Sequence, residues 1–153
     1  MAESFRQLRL TDLQIATCTQ WKAPDGTVYL ELPHVISFFQ RVGADAAPLF
    51  DVEVGTPPEF DFVCKVVSYT GVTPGTLLQI QWPDGRYLQA NPLDFFSFIG
   101  TGMRGRLIDP HKAMRPNSKI QLNIDNSAVG SASDIELYFE GVLRVPFTAV
   151  SHV

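Results

Sequence analysis

Segments in which apolar and polar residues alternate set the strongest constraint on how this chain can fold. Residues 60–66 read FDFVCKV, and the same period of two recurs in residues 120–124 and 135–139. Successive side chains of a strand point to opposite faces, so each segment predicts a strand with one face in a core. In the first segment, the residues expected on the buried face are Phe60, Phe62, Cys64 and Val66.

Further strands are predicted where β-branched and aromatic residues lie between turn residues, a pattern that 11 Phe, 11 Gly and 11 Pro make frequent. Eight to ten short strands are typical of a sandwich or barrel. The lack of crossover helices excludes a parallel α/β fold. These strands are expected at residues 6–10, 14–18, 28–32, 77–82, 86–89, 95–99 and 143–147.

Helical periodicity is scarce, and we expect at most one short helix, at residues 33–42. Residues 43–58 contain small residues and end in Pro57-Pro58, which predicts an irregular connection. We therefore divide a single unit into two parts. Residues 1–59 are expected to form an amino-terminal arm or extra hairpin layer, and residues 60–153 the main β-sandwich domain.

Two phrases, WKAPDGTVYLEL at residues 21–32 and QIQWPDGRYLQ at residues 79–89, share Pro-Asp-Gly after a tryptophan. Proline presets φ, aspartate caps the turn and glycine accepts a positive φ, so each phrase predicts a hairpin with a type I turn and a glycine bulge. Trp82 and Tyr87 are then expected to pair across the strands. The alternative is a glycan-stacking platform formed by Trp21, Trp82 and Tyr87.

Charge and hydropathy limit the possible partners. The formal net charge of −4 disfavours a nucleic-acid-binding module, which needs concentrated Lys and Arg. The sequence contains no run of about 18 apolar residues, so no membrane span is predicted. The amino terminus lacks the features of a secretion signal. Cys18 and Cys64 are therefore predicted to be buried free thiols.

No catalytic signature stands out. There is no Gly-x-Ser-x-Gly motif, and His34, His111 and His152 are too widely separated for a metal-binding spacing. Oxygen-bearing residues at 123–126 could suit calcium, but a solvated turn is the favoured interpretation. The sequence thus predicts a protein that is not an enzyme and that needs no cofactor or metal.

Three segments are candidates for binding another protein. Basic residues concentrate in residues 103–115, which are predicted to form a loop in an otherwise acidic chain. In residues 95–98, FFSF, alternation places Phe95 opposite the other two rings, either filling a second layer or exposed to a partner. Residues 5–10 would be an amphipathic arm. The candidate interface residues are Phe5, Leu8, Leu10, Phe95, Phe96, Phe98, Arg104, Arg106, Lys112 and Arg115.

Residues 80–102, IQWPDGRYLQANPLDFFSFIGTG, and residues 114–146, MRPNSKIQLNIDNSAVGSASDIELYFEGVLRVP, carry a family resemblance. The pattern joins a Pro-Asp-Gly-Arg hairpin, a Pro-x-Ser before an alternating strand, Asn126-Ser127 after that strand, and a strand ending at Pro146. From Phe60 onward, over about ninety residues, the chain resembles the small jelly-roll or β-sandwich virion proteins of tailed bacteriophages.

The resemblance implies a jelly-roll-like sandwich and a non-enzymatic role in the virion. We expect a capsid decoration or cement protein that binds the major capsid protein, with a neck, collar or baseplate subunit as the alternative. A carbohydrate-binding sandwich for host recognition is the alternative from another class. Because small β proteins often cover exposed edges by assembling, a homo-oligomer is expected, with a trimer favoured. Nucleic acid and membrane are not expected partners.

Overall fold

The computed structural model describes residues 8–99 and 105–152, which form eleven strands and short helical turns. The helical elements are α1 (Asp12–Thr17), α2 (Phe95–Ile99) and a 3-10 turn at Phe147–Ala149. In chain order, the strands are β1 (Leu8–Leu10), β2 (Thr19–Lys22), β3 (Val28–Val42), β4 (Leu49–Gly55), β5 (Asp61–Thr70), β6 (Leu77–Gln81), β7 (Leu93–Asp94), β8 (Arg106–Met114), β9 (Lys119–Asp125), β10 (Ser133–Pro146) and β11 (Val150–His152).

The strands form two antiparallel sheets, which confirms the predicted all-β sandwich. One sheet has the order β2-β3-β10-β5-β8 and the other β4-β9-β6-β7, while β1 and β11 form a separate parallel pair. When β3 to β10 are counted as strands 1 to 8, the orders read 1-8-3-6 and 2-7-4-5. This is the strand order of a jelly roll, which is built from two Greek keys.

The core lies between the two sheets and follows the alternation predicted for β9 and β10. Five of the six predicted core residues in these strands are fully buried and the sixth, Ile124, is 1% exposed. Their neighbours Gln121 and Asn123 are half-buried. The core residues of these two strands are Ile120, Leu122, Ile124, Ile135, Leu137 and Phe139.

The alternation predicted for β5 holds for Phe62 and Cys64 but is wrong for Val66. Cys64 lies opposite Gly141 and Val66 lies opposite the preceding residue, Glu140, so Lys65 is an extra residue in β5. One extra residue inverts the direction of every following side chain. Val67 is therefore buried in the core, and Val66 lies on the opposite side of the sheet.

The helix predicted at residues 33–42 is wrong, because this segment continues β3. β3 pairs with β10 without interruption from Tyr29 to Val42, and this pairing satisfies the backbone of an aromatic and β-branched segment. Pro33 is tolerated because it lies beyond Glu31, the last β3 residue paired with β2, where β3 has a partner on only one side.

Two short helices replace strands predicted at residues 14–18 and 95–99. Thr11 caps α1 through a capping box in which its hydroxyl accepts from the Gln14 backbone N–H and the Gln14 side chain accepts from the Thr11 N–H. The Asp94 carboxylate accepts from the Ser97 N–H at 2.8 Å at the start of α2. Local capping thus outweighs the weak strand pattern of both segments.

The expected irregular connection at residues 43–58 contains β4, which pairs with β9, and the expected loop at residues 103–115 contains β8, which pairs with β5. Residues 86–89, predicted as a strand, contribute one bridge, between Gln81 and Tyr87. β3 and β4 both precede the boundary expected after residue 59. Strands from both sides of that boundary therefore lie in each sheet.

Candidate interaction surface

The second Pro-Asp-Gly phrase forms the predicted turn. The Gly85 N–H donates to the Trp82 carbonyl at 2.9 Å, and the Asp84 carboxylate accepts from the Arg86 N–H at 3.1 Å. Gly85 has φ of +83°, which glycine adopts without steric cost. The first phrase repeats these hydrogen bonds around Gly26, so turn chemistry accounts for both copies.

Trp82 is a core residue. Its side chain is 5% exposed and packs edge-on against Phe139, with ring centroids 6.4 Å apart. The predicted cross-strand pair of Trp82 with Tyr87 is wrong, because the register places Tyr87 opposite Gln81 and the Trp82 N–H bonds to the Arg86 carbonyl. Neighbouring residues of a strand point to opposite faces, and Tyr87 is accordingly 49% exposed.

Trp21 lies on β2 next to Tyr29, with ring centroids 5.5 Å apart. The Arg144 guanidinium stacks over the Trp21 ring, 3.7 Å from its centroid, and Arg144 Nε lies 3.4 Å from Glu31 Oε2. This cation covers one face of the indole. Trp21, buried Trp82 and exposed Tyr87 therefore do not form one stacking platform.

The structure separates Phe95 from Phe96, two of the three phenylalanines considered for partner binding. Phe95 is 2% exposed and packs edge-on against Tyr69 at 5.2 Å, so of the two alternatives it fills the core. Phe96 is 65% exposed. Because Phe95 and Phe96 are consecutive residues of the helix α2, their side chains differ by about 100° in direction. The Phe98 side chain lies outside the described part of the structure.

The basic residues of segment 103–115 also differ in their surroundings. Arg106 and Arg115 are exposed, while Lys112 is half-buried and forms an ion pair with Asp84. Leu10 is buried in β1. Phe5, Arg104 and the Leu8 side chain lie outside the described part of the chain. The predicted interface residues therefore do not converge on one described surface.

A surface that sequence reasoning missed lies on the side of the five-stranded sheet that faces away from the core. One row of paired residues crosses four strands there, from Val35 to Glu140, then Val66, then Leu107. Val35 is 51% exposed and Leu107 74% exposed. We define the outer face as Val35, Ser37, Phe39, Val66, Ser68, Thr70, Leu107, Glu136, Tyr138 and Glu140.

Phe39 and its neighbours form a groove on the outer face. Phe39 is 61% exposed and lies opposite Glu136, which lies opposite Thr70. The groove has a volume of about 350 Å³. Interpreting residues 33–42 as a strand would have placed Val35, Ser37 and Phe39 on one side of it, but the rest of this face becomes adjacent only through strand pairing. The groove is lined by Ser37, Phe38, Phe39, Glu136 and Tyr138.

Glu136 is held as an anion within this groove. Its Oε2 accepts hydrogen bonds from the Tyr138 hydroxyl at 2.5 Å and the Thr70 hydroxyl at 3.0 Å. These bonds, the Tyr138 bond first, lower the pKa of Glu136 below its usual value. The same bond raises the pKa of Tyr138. At neutral pH the groove therefore carries a carboxylate beside a neutral phenol.

A second groove, of about 340 Å³, lies between α2 and the loop that follows β5. Its walls are mainly apolar, with the exposed Phe96 ring on one side. Asp94 also lines it, although its carboxylate is engaged in capping α2. The remaining lining residues are Tyr69, Val72, Thr73, Pro74, Gly75 and Phe95.

The solvated turn favoured for residues 125–127 is only partly confirmed, because Asn123 and Asp125 belong to β9, the turn follows at residues 127–128, and Asn126 is buried. The Asp125 carboxylate accepts from the Ser127 N–H at 2.9 Å, and the Asn126 amide is fully buried in hydrogen bonds with Thr76, Gly43 and Ser131. Within residues 8–99 and 105–152, no group of three or more His, Cys, Asp or Glu is placed to hold a metal ion.

Both cysteines are free thiols, as predicted. Cys64 is fully buried in the core, and desolvation raises its pKa to about 12. Cys18 is only partly buried, after α1, so the prediction of burial holds for one of the two.

No protein-family model matches the chain, and no curated protein matches it. None of the helices in the described part of the chain has the length and apolar character needed to cross a bilayer.

Proposed function

We propose that this chain is a non-enzymatic structural protein of a tailed-bacteriophage virion, of the capsid decoration or cement type. In this role it binds the outer surface of the major capsid shell and stabilises the shell. The resemblance of the region from Phe60 onward to small virion proteins supports the proposal, and the jelly-roll strand order is compatible with it. Because one fold hosts many functions, the residues on the protein surface must determine which partner is bound.

The exposed apolar residues of the outer face are the observation that carries the proposal. Val35, Phe39 and Leu107 are each more than half exposed, and the sheet register places them on the same side of the sheet, the first two on β3 and Leu107 on β8, with β10 and β5 between. Apolar area of this kind, flanked by carboxylates, is typical of a surface that another protein covers. We do not extend the proposal to glycan binding, because Trp82 is buried and Arg144 covers Trp21.

The proposal includes a homo-oligomer, with a trimer favoured. Glu136 and Glu140 limit its geometry, since a two-fold contact that stacked the outer face on itself would bring like charges together. Copies are therefore expected to meet through other surfaces, which leaves the outer face to the capsid. Light scattering at micromolar concentration checks this part of the proposal, and a monomer peak would overturn it.

The decoration role is tested with particles made with and without this chain. We expect many copies per particle, and we expect particles lacking the chain to release DNA at a lower temperature. Adding back the purified protein should restore the higher temperature of DNA release. Leu107→Asp, which replaces an exposed apolar side chain of the outer face with a charge, should fail to do so, whereas Glu59→Gln on an exposed loop should succeed. If particles without the chain released their DNA at the same temperature as particles with it, the cement role would be contradicted.

A further inference from the structure

We propose that the groove beside Phe39 binds a cationic side chain, an arginine or lysine of the partner protein. This assignment rests on the proposed binding role of the outer face and names the chemistry it recognises. The juxtaposition that carries it is a carboxylate, Glu136, in one groove with the aromatic residues Phe39 and Tyr138.

The walls of the groove suit a cation. Aromatic faces attract ammonium and guanidinium groups, and a carboxylate at the same place adds a charge-assisted hydrogen bond. Phe39 is 61% exposed, so its ring is available to an incoming side chain. A guanidinium can stack on a ring and bond to a carboxylate at once, which makes arginine the better of the two ligands.

Glu136 is preorganised for this contact. Tyr138 and Thr70 both donate to Oε2, and neither bond uses Oε1. A carboxylate already fixed by its neighbours loses little conformational freedom when a ligand binds. The bonds also keep Glu136 ionised, so the groove carries its charge before the partner arrives.

The surroundings favour a cation that is followed by apolar residues. Glu140 lies on the same outer face and adds negative potential, whereas Asp134, one row beyond Glu136, is paired with Arg41 at 3.5 Å. The exposed Val35 and Leu107 lie in the same row of paired residues as Glu140. An anionic segment, or a second copy of the same face, would meet repulsion here.

Two peptides that differ in a single charged group test the assignment. The probes are acetyl-Ala-Leu-Arg-Leu-Ala-amide and the same peptide with citrulline, which has the shape of arginine but no charge. In ¹H–¹⁵N NMR titrations, we expect the arginine peptide to shift the amide signals of Phe39, Glu136 and Tyr138, and the citrulline peptide to bind at least about tenfold more weakly.

Glu136→Gln keeps the shape of the side chain and should weaken the binding of the arginine peptide by about tenfold. Glu59→Gln makes the same change in net charge on an exposed loop and should leave binding unchanged. Equal binding of both peptides, binding that survives Glu136→Gln, or no shift at these residues would overturn the assignment. If the groove did not bind the arginine peptide but the protein still stabilised particles, the groove assignment would be wrong and the decoration role would be unaffected.

Discussion

Lys112 forms an ion pair with Asp84, the residue that caps the second Pro-Asp-Gly turn. One carboxylate oxygen, Oδ1, accepts from the Arg86 N–H, and the other, Oδ2, meets the Lys112 ammonium. The turn follows β6 of the four-stranded sheet, and Lys112 lies in β8, an edge strand of the five-stranded sheet. The pair therefore links the two sheets and gives both residues a structural role.

Lys112→Met should remove this link and raise the pKa of Asp84 toward its ordinary value of 3.8. The Lys112 hydrogen bond comes first among the causes that lower this pKa, followed by the Arg86 backbone bond. A lowered folded-state pKa stabilises the protein above the ordinary value, and the stabilisation is lost as pH falls through the folded value. NMR titration of the Asp84 carboxyl measures the shift directly.

The ion pair between Lys112 and Asp84 should contribute little to the free energy of unfolding. Because Asp84 is substantially exposed, Lys112→Met should lower the free energy of unfolding at pH 7 by no more than about 1 kcal/mol. The difference from the unmodified protein should narrow below about pH 4, where the unfolded-state carboxyl is protonated. An unfolding difference that grew in acid would contradict this account of the pair.

Trp82→Ala should lower the free energy of unfolding by about 3–5 kcal/mol, because it empties a site in a close-packed core. Tyr87→Ala, at the 49% exposed position across the turn, should change it by less than about 1 kcal/mol. Urea unfolding followed by circular dichroism measures both. If Trp82→Ala unfolded at the same urea concentration as the parent, the scaffolding role of this tryptophan would be wrong.

Asn126→Ala should destabilise the protein by about 3 kcal/mol, since the carbonyls of Gly43 and Ser131 lose a donor that is itself fully buried. The amide side chain joins three loops at one end of the sandwich through Thr76 as well. Asn91→Ala, on an exposed bend, is the matched control and should be nearly neutral. Equal urea midpoints for the two variants would refute the role of the buried network.

Cys64 should resist alkylation in the native protein. At pH 8, about four pH units below its pKa of about 12, about one thiol in ten thousand is ionised, and the side chain is also buried. Iodoacetamide labelling followed by mass spectrometry should modify Cys18 first and Cys64 only after urea is added. Equally fast labelling of both residues would show that the core opens near Cys64.

The core of β9 and β10 could be predicted from the sequence because both strands keep a strict period of two. Leu122 and Leu137 lie at the centre of that pattern, and both are fully buried, as the alternation predicted. An uninterrupted strand keeps its period along its whole length, so the sequence alone identifies its inner face. The turns at Gly26 and Gly85 were equally predictable, because their chemistry is local to a few residues.

Features that depend on distant partners could not be predicted from the sequence. Residues 33–42 fit either period over a short run, and β10, about a hundred residues away, decides that they extend. The extra residue at Lys65 is defined by the register against β10, and the pairing with β8 is irregular at the same place. The row from Val35 to Leu107 joins four separate segments, so the outer face could not be found before the pairing was known.

The position of this chain in an intact particle tests the central claim most directly. Cryo-electron microscopy of purified particles should find the chain on the outside of the capsid shell, with Phe39 and Leu107 of the outer face covered by the major capsid protein. Absence of the chain from the shell, or an outer face turned to solvent in every copy, would contradict the account.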